Sequence, residues 1–118
     1  MPTEWSISEA VNEKGTAVIE VRFVDEDGQA VTPKTGTYTL TDDEGNVVNS
    51  RQDVAISNLA SSVNIVLSGD DLQISSGFSG SADWRILTVE ITYDSNYGTD
   101  LPQKDTLKFA VNNLTAVT

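Results

Sequence analysis

Hydrophobic and polar residues alternate along much of this chain with the period of two that belongs to a half-buried strand. Thr16 to Val24 shows it most clearly. Ala17, Ile19, Val21 and Phe23 fall on one face, and Val18, Glu20, Arg22 and Val24 on the other. Arg85 to Tyr93 repeats the pattern, with Leu87, Val89, Ile91 and Tyr93 inward and Ile86, Thr88, Glu90 and Thr92 outward. Weaker runs predict further strands around Trp5, Ile7 and Val11, at Gln29 to Thr32, and at Thr37 to Thr41 with Tyr38 and Leu40 inward. Others follow at Val47 to Ser50, Asp53 to Ser57, Ser62 to Leu67 with Val63, Ile65 and Leu67 inward, and Asp105 to Val111 with Leu107, Phe109 and Val111 inward.

The breaks between these runs are turn chemistry. Glu13 to Gly15, Asp25-Glu26-Asp27-Gly28 and Asp42-Asp43-Glu44-Gly45-Asn46 supply residues that tolerate positive φ, and Pro33 closes a short run. Ser68 to Asp83 is rich in Ser and Gly and reads as a surface loop, opened by one helical turn at Asp70 to Leu72 that Ser68 caps. Asp94 to Lys104 reads as a long polar loop. Parallel strands need crossovers of a dozen residues or more, and most intervals are shorter. The expectation is one all-β domain over residues 1–118, an immunoglobulin-like antiparallel β-sandwich of about seven or eight strands. A small closed barrel is the competing architecture.

Composition strengthens the strand reading and narrows the function. The 13 Val, 7 Ile and 13 Thr make 33 of 118 residues β-branched, side chains that fit a pleated surface better than a helix. Seven Lys and Arg against eighteen Asp and Glu leave a formal charge of −11. Such a surface repels phosphate backbones and anionic bilayers, so neither nucleic acid nor a membrane is expected as partner. The chain has no Cys and no His, which removes thiolate nucleophiles, zinc–thiolate sites and the commonest general base. No apolar run approaches a membrane span, and Met1 to Ala10 lacks the basic and apolar regions of a secretory signal, so none is expected.

Two stretches carry a resemblance. Phe23 to Val48 (FVDEDGQAVTPKTGTYTLTDDEGNVV) resembles bacterial and phage Ig-like domains: a strand ends in an acidic-Gly turn, a Pro follows, and a Tyr-bearing strand leads to a second acidic-Gly turn. Arg85 to Leu114 (RILTVEITYDSNYGTDLPQKDTLKFAVNNL) resembles small proteins encoded among the morphogenesis genes of tailed phages and prophages. There, a strand ending in Thr-Tyr precedes a Gly-Thr/Ser-Asp-Leu-Pro loop and a final strand with an inward Phe. Together these segments cover about half the chain. The resemblance implies an Ig-like fold and a structural role in a virion, and it transfers no catalytic residue.

Four constellations invite chemistry. Asp25, Asp27, Asp42, Asp43, Glu44, Asp70 and Asp71 are oxygen donors of the kind calcium takes. The same residues are what tight turns require, no EF-hand spacing is present, and the turn reading is preferred. Trp5, Trp84, Tyr93 and Tyr97 would suit a sugar-stacking platform. Against this, Tyr93 lies on an inward register, and Trp5 or Trp84 is expected to plug the sandwich. Carboxylate pairs such as Asp42/Asp43 and Asp70/Asp71 fall in solvated turns, where nothing tunes them for glycoside hydrolysis. Tyr97 and Leu101, in the loop Asp94 to Pro102, are the candidate partner contacts. Folding back of both onto the sandwich edge is the equal alternative.

The expected function is a non-catalytic structural or interaction protein, a small phage or prophage virion component acting by protein–protein contact, with itself or with other virion proteins. No catalytic residue, cofactor, metal or small-molecule substrate is expected. The expected location is the virion or the cytoplasm of the producing bacterial cell. The alternatives are an Ig-like module of a bacterial surface or adhesion protein, and a carbohydrate-binding module.

Overall fold

The computed structural model describes residues 3–7, 11–75 and 78–114. Seven strands lie in these segments: β1 (Thr3–Ile7), β2 (Thr16–Phe23), β3 (Thr35–Asp42), β4 (Val54–Ala55), β5 (Ser62–Ser68), β6 (Ala82–Ser95) and β7 (Gly98–Asn112). They form two antiparallel sheets, one in the order β1-β2-β5 and the other β4-β3-β6-β7. Consecutive strands pair only as hairpins, β1 with β2, β3 with β4 and β6 with β7; the other connections cross between the sheets. The architecture is a β-sandwich. Among the described residues, no helix is long and apolar enough to cross a membrane.

The inward faces meet in one core. Ala17, Ile19, Val21 and Phe23 of β2, with Val63, Ile65 and Leu67 of β5, form one wall. Leu40, Leu87, Val89, Ile91, Tyr93, Phe109 and Val111 form the other. Both strong alternating runs thus take the faces their period dictates. Tyr38 and Leu107, also expected inward, are partly buried at the margin. The outer face of the four-stranded sheet carries Thr35, Thr37, Thr39 and Thr41 of β3 beside Thr88 and Thr92 of β6. Threonine keeps the β-branched shape while its hydroxyl faces water, and Thr35 and Thr92 bond each other across the strands at 2.8 Å.

Several expectations are corrected. Asp94 to Lys104 is not a loop: β6 and β7 run on into a tight hairpin, with Ser95 opposite Gly98 and Tyr93 opposite Leu101. The register shifts between those pairs, a β-bulge, and there Asp100 sits at φ 53° with its N–H held by the Asp94 carboxylate at 2.9 Å. Val47 to Ser50 is not a strand. One bridge joins Val47 to Thr41, after which Asn49 and Ser50 turn left-handed at φ 53° and 57° and end the ladder. Gln29 to Thr32 likewise makes a single bridge, Ala30 to Val24. The expected strand at Asp53 to Ser57 shrinks to Val54–Ala55.

Val11 is buried beyond β1, its carbonyl accepting the N–H of Asn112 at 2.8 Å. Ser8 to Ala10, Ser76 and Gly77, parts of the expected first strand and Ser/Gly loop, lie outside the described residues. The helical turn at Asp70 to Leu72 forms as a 3-10 helix, Gly69–Leu72. At its start the Ser68 N–H donates to Asp71 Oδ2 at 3.0 Å.

Candidate functional site

The residues singled out as partner contacts sit at one pole of the sandwich, where three segments converge. The first is the turn after β2. Asp25 Oδ1 accepts the backbone N–H groups of Asp27 and Gln29, each at 2.9 Å, and Gly28 closes the turn at φ 79°. This is the local bonding for which Asp-rich turns are selected. The second is Lys34, just before β3, whose backbone N–H bonds Thr92 O at 2.7 Å. The third is the β6–β7 tip.

The tip is tied to both other segments. Lys34 Nζ meets Asp94 at 3.4 Å and Asp100 at 2.6 Å. Tyr93, buried, donates its hydroxyl to Glu26 Oε2 at 2.7 Å. The Glu26 carboxylate that accepts this proton, together with burial, pushes the Tyr93 phenol up to about 12. The same bond holds Glu26 below the usual carboxylate range. Tyr97 donates to Asp27 Oδ1 at 3.2 Å, and the Asp27 charge raises its phenol. The Tyr97 N–H bonds Ser95 Oγ at 3.1 Å, which fixes the turn.

The two candidate contacts therefore part company. Leu101 folds back, packing against the core beside Gly98. Tyr97 stays 66% exposed, its ring standing clear while its hydroxyl is anchored. The charges of Asp27, Glu26 and Asp25 act on its phenol, and Asp94 and Asp100 of the same tip pair with Lys34. The pole is an acidic rim around a fixed aromatic side chain. Such a surface can bury an aromatic anchor at little entropy cost and select for a positively charged partner.

The other constellations do not assemble. Trp5 closes the open side of the sandwich, half-buried, its Nε1–H directed to Asp105 Oδ2 at 3.3 Å. Trp84, the other expected plug, faces outward at 45% exposure with Lys108 Nζ 5.0 Å from its ring centroid. With Tyr93 buried and Tyr97 at the tip, the four aromatics form no common platform. Asp42 Oδ1 accepts the N–H groups of Glu44 and Asn46 at 2.9 Å each, a turn-forming role like that of Asp25. Among the described residues, no three His, Cys, Asp or Glu side chains group as a metal site would require.

Asp71 is the clearest correction among the acids. It is not in a solvated turn but 2% exposed. It accepts Arg51 Nε at 2.7 Å, Asn49 Nδ2 at 2.9 Å and the Ser68 N–H. Burial pushes its carboxyl up, but Arg51 and the other donors outweigh that and hold it below the usual range. A second buried pair went unread in the sequence. Arg85, 1% exposed, meets Asp83 at 3.0 Å and donates to the carbonyls of Trp84 at 2.6 Å and Gln73 at 2.8 Å. Continuing the β6 alternation backward from Leu87 would have placed both residues inward.

No family model, no curated protein and no solved structure matches the chain.

Proposed function

We propose that this chain is a non-catalytic interaction module of immunoglobulin-like topology, a small component of a phage or prophage particle that docks on a protein partner through the Tyr97 pole. The strand order supports the topology: β1-β2-β5 against β4-β3-β6-β7 follows the division of strands A, B and E from C, F and G in immunoglobulin sandwiches. In that scheme the pole joins the B–C and F–G loops, the end at which variable domains bind. The particle assignment rests on the resemblance of Phe23 to Val48 and Arg85 to Leu114. The observation that carries the docking mode is Tyr97, two-thirds exposed yet fixed between Ser95 and Asp27.

The partner surface this rim fits is basic, with a shallow apolar recess for the ring. The test is recovery of the tagged chain in purified particles from a bacterium in which the phage or prophage is induced. The wild type is expected in the particle fraction, and Tyr97→Ala depleted from it roughly tenfold or more, the scale of losing one anchor. Wild type absent from particles sinks the virion reading, and its recovery at the cell envelope would move the chain to the surface-module class. Equal incorporation of Tyr97→Ala would remove the pole as the docking surface.

A further inference from the structure

We propose that two copies of this chain associate through β5, pairing antiparallel about a two-fold axis at Ile65 to join their three-stranded sheets into one of six. The hydrogen-bond phase of β5 is set at its two ends. Phe23 N–H donates to Ser61 O at 2.8 Å, and Gly69 N–H to Gly15 O at 3.0 Å. In an antiparallel ladder the residues between then alternate. Val63, Ile65 and Leu67 direct their backbone groups to β2, and Ser62, Asn64, Val66 and Ser68 direct theirs away from it. Ser68 fits this phase, since its N–H is taken by Asp71. β5 ends its sheet, and the outward groups of Asn64 and Val66 face a groove of about 250 Å3 lined also by Tyr38, Val54 and Ile56.

The edge lacks the usual guards. Natural edge strands carry charge, proline or bulges that stop strand addition. Ser62–Ser68 (SVNIVLS) has no charged residue, no Pro and no Gly, and the other residues lining the groove are uncharged too. The other three edges are defended: β1 carries Glu4, β4 is only two residues long, and β7 carries Pro102, Lys104 and Lys108, its end occupied by Val11 and Glu13 through Asn112.

Charge admits a second copy at this edge, and the pattern of the strand itself favours it as the occupant. Two molecules of −11 repel over most approaches, but along β5 they meet with no charge facing charge. The strand is also self-complementary. About Ile65, Ser62 lies opposite Ser68 of the second copy and Asn64 opposite its Val66, which brings about six outward backbone bonds into register. On the outer face this covers Val66, 54% exposed, beside Val18, its cross-strand neighbour at 43%. Seven residues span only about 23 Å, so the contact is small and the dimer weak. This contact belongs to the three-stranded sheet and is independent of Tyr97.

Sedimentation equilibrium of the full chain from about 0.01 to 1 mM, at low and at physiological salt, tests it. The wild type is expected to rise toward twice the monomer mass at the upper concentrations, and more readily once salt screens the repulsion. Asn64→Lys with Val66→Lys places lysine opposite lysine on solvent-facing positions and should weaken association at least tenfold. Asn64→Lys with Val66→Glu places lysine opposite glutamate and should restore it. Tyr97→Ala should dimerise like wild type. Four results would overturn the proposal: a monomer at every concentration, which would leave the edge to a strand of another protein; dimerisation of the Lys/Lys variant; failure of the Lys/Glu variant to recover; or loss of the dimer in Tyr97→Ala.

Discussion

Arg85 and Asp83 show how much one strand position can demand. An arginine inside an apolar core is costly unless its forked donors find acceptors, and here Asp83 and the carbonyls of Trp84 and Gln73 take its two terminal nitrogens, while the buried Nε has no partner among the described residues. Asp83 also accepts the Ser75 N–H at 3.0 Å, which binds the segment after the 3-10 helix to β6. Removing only the acid leaves a buried cation without its partner. Asp83→Ala is expected to cost about 3–5 kcal/mol in chemical denaturation. Asp83→Ala combined with Arg85→Met should recover a large part, because the charge goes with its partner. A loss below about 1 kcal/mol in the single variant would mean that the pair is solvated rather than buried. The sequence hid this pair because a charged residue at a strand's start reads as its solvent end. Asp71 was hidden for a related reason: an Asp-Asp-Leu run after Ser-Gly looks like any surface turn until Arg51 and Asn49 are brought to it from twenty or so residues away.

At the scale of elements, the strands legible in advance were those with one wet and one dry face. β2, β5 and the middle of β6 alternate because each is anchored over the core, and their inward residues are the ones found there. The β6–β7 extension was not legible. Beyond Tyr93 the tip of the hairpin leaves the core, on the returning strand only Leu101 and the polar Gln103 mark the inward face, and a polar run with a proline resembles a loop. Its strand character comes instead from pairing, from the bulge at Asp100, and from β7 being the last strand of its sheet, where Pro102 is tolerated. The site shared this fate. Tyr97 could be singled out as an exposed aromatic in a polar stretch, but its anchoring by Asp27, seventy positions away, is a product of topology. Phe109 tests the register of β7. It lies opposite Arg85, buried, and Phe109→Ala should destabilise by about 3–5 kcal/mol in thermal or urea unfolding. An unchanged melt would place β7 one residue out of register, with Lys108 inward.

For the whole molecule, the surplus of acids makes pH the most informative variable. Asp71 and Asp83 have carboxyls held below the usual range by Arg51 and Arg85 and by backbone N–H groups, even though burial pushes them the other way. A group depressed in the fold stabilises it at pH values above its unfolded pKa of about 3.9 and ceases to do so as pH falls through the folded value. Stability should therefore hold from neutrality to about pH 5 and fall steeply below about pH 4. Easing of the −11 repulsion over the same range opposes this loss, but it acts across exposed, screened charges, whereas Asp71 and Asp83 are buried. At the other limit Tyr93 works in the reverse sense. Its phenol is raised to about 12, so its contribution is complete below the unfolded value of about 10 and disappears between there and about pH 12. Melting curves across pH 2 to 12 would show both limbs. Asp71→Asn should be less stable at neutral pH and show a shallower acid limb. Tyr93→Phe should flatten the alkaline limb and leave the acid one alone. If Asp71→Asn followed the wild type through the acid range, the Arg51 pair would carry no pH-dependent stability. Acid unfolding would then have to come from Asp83 and the exposed carboxylates.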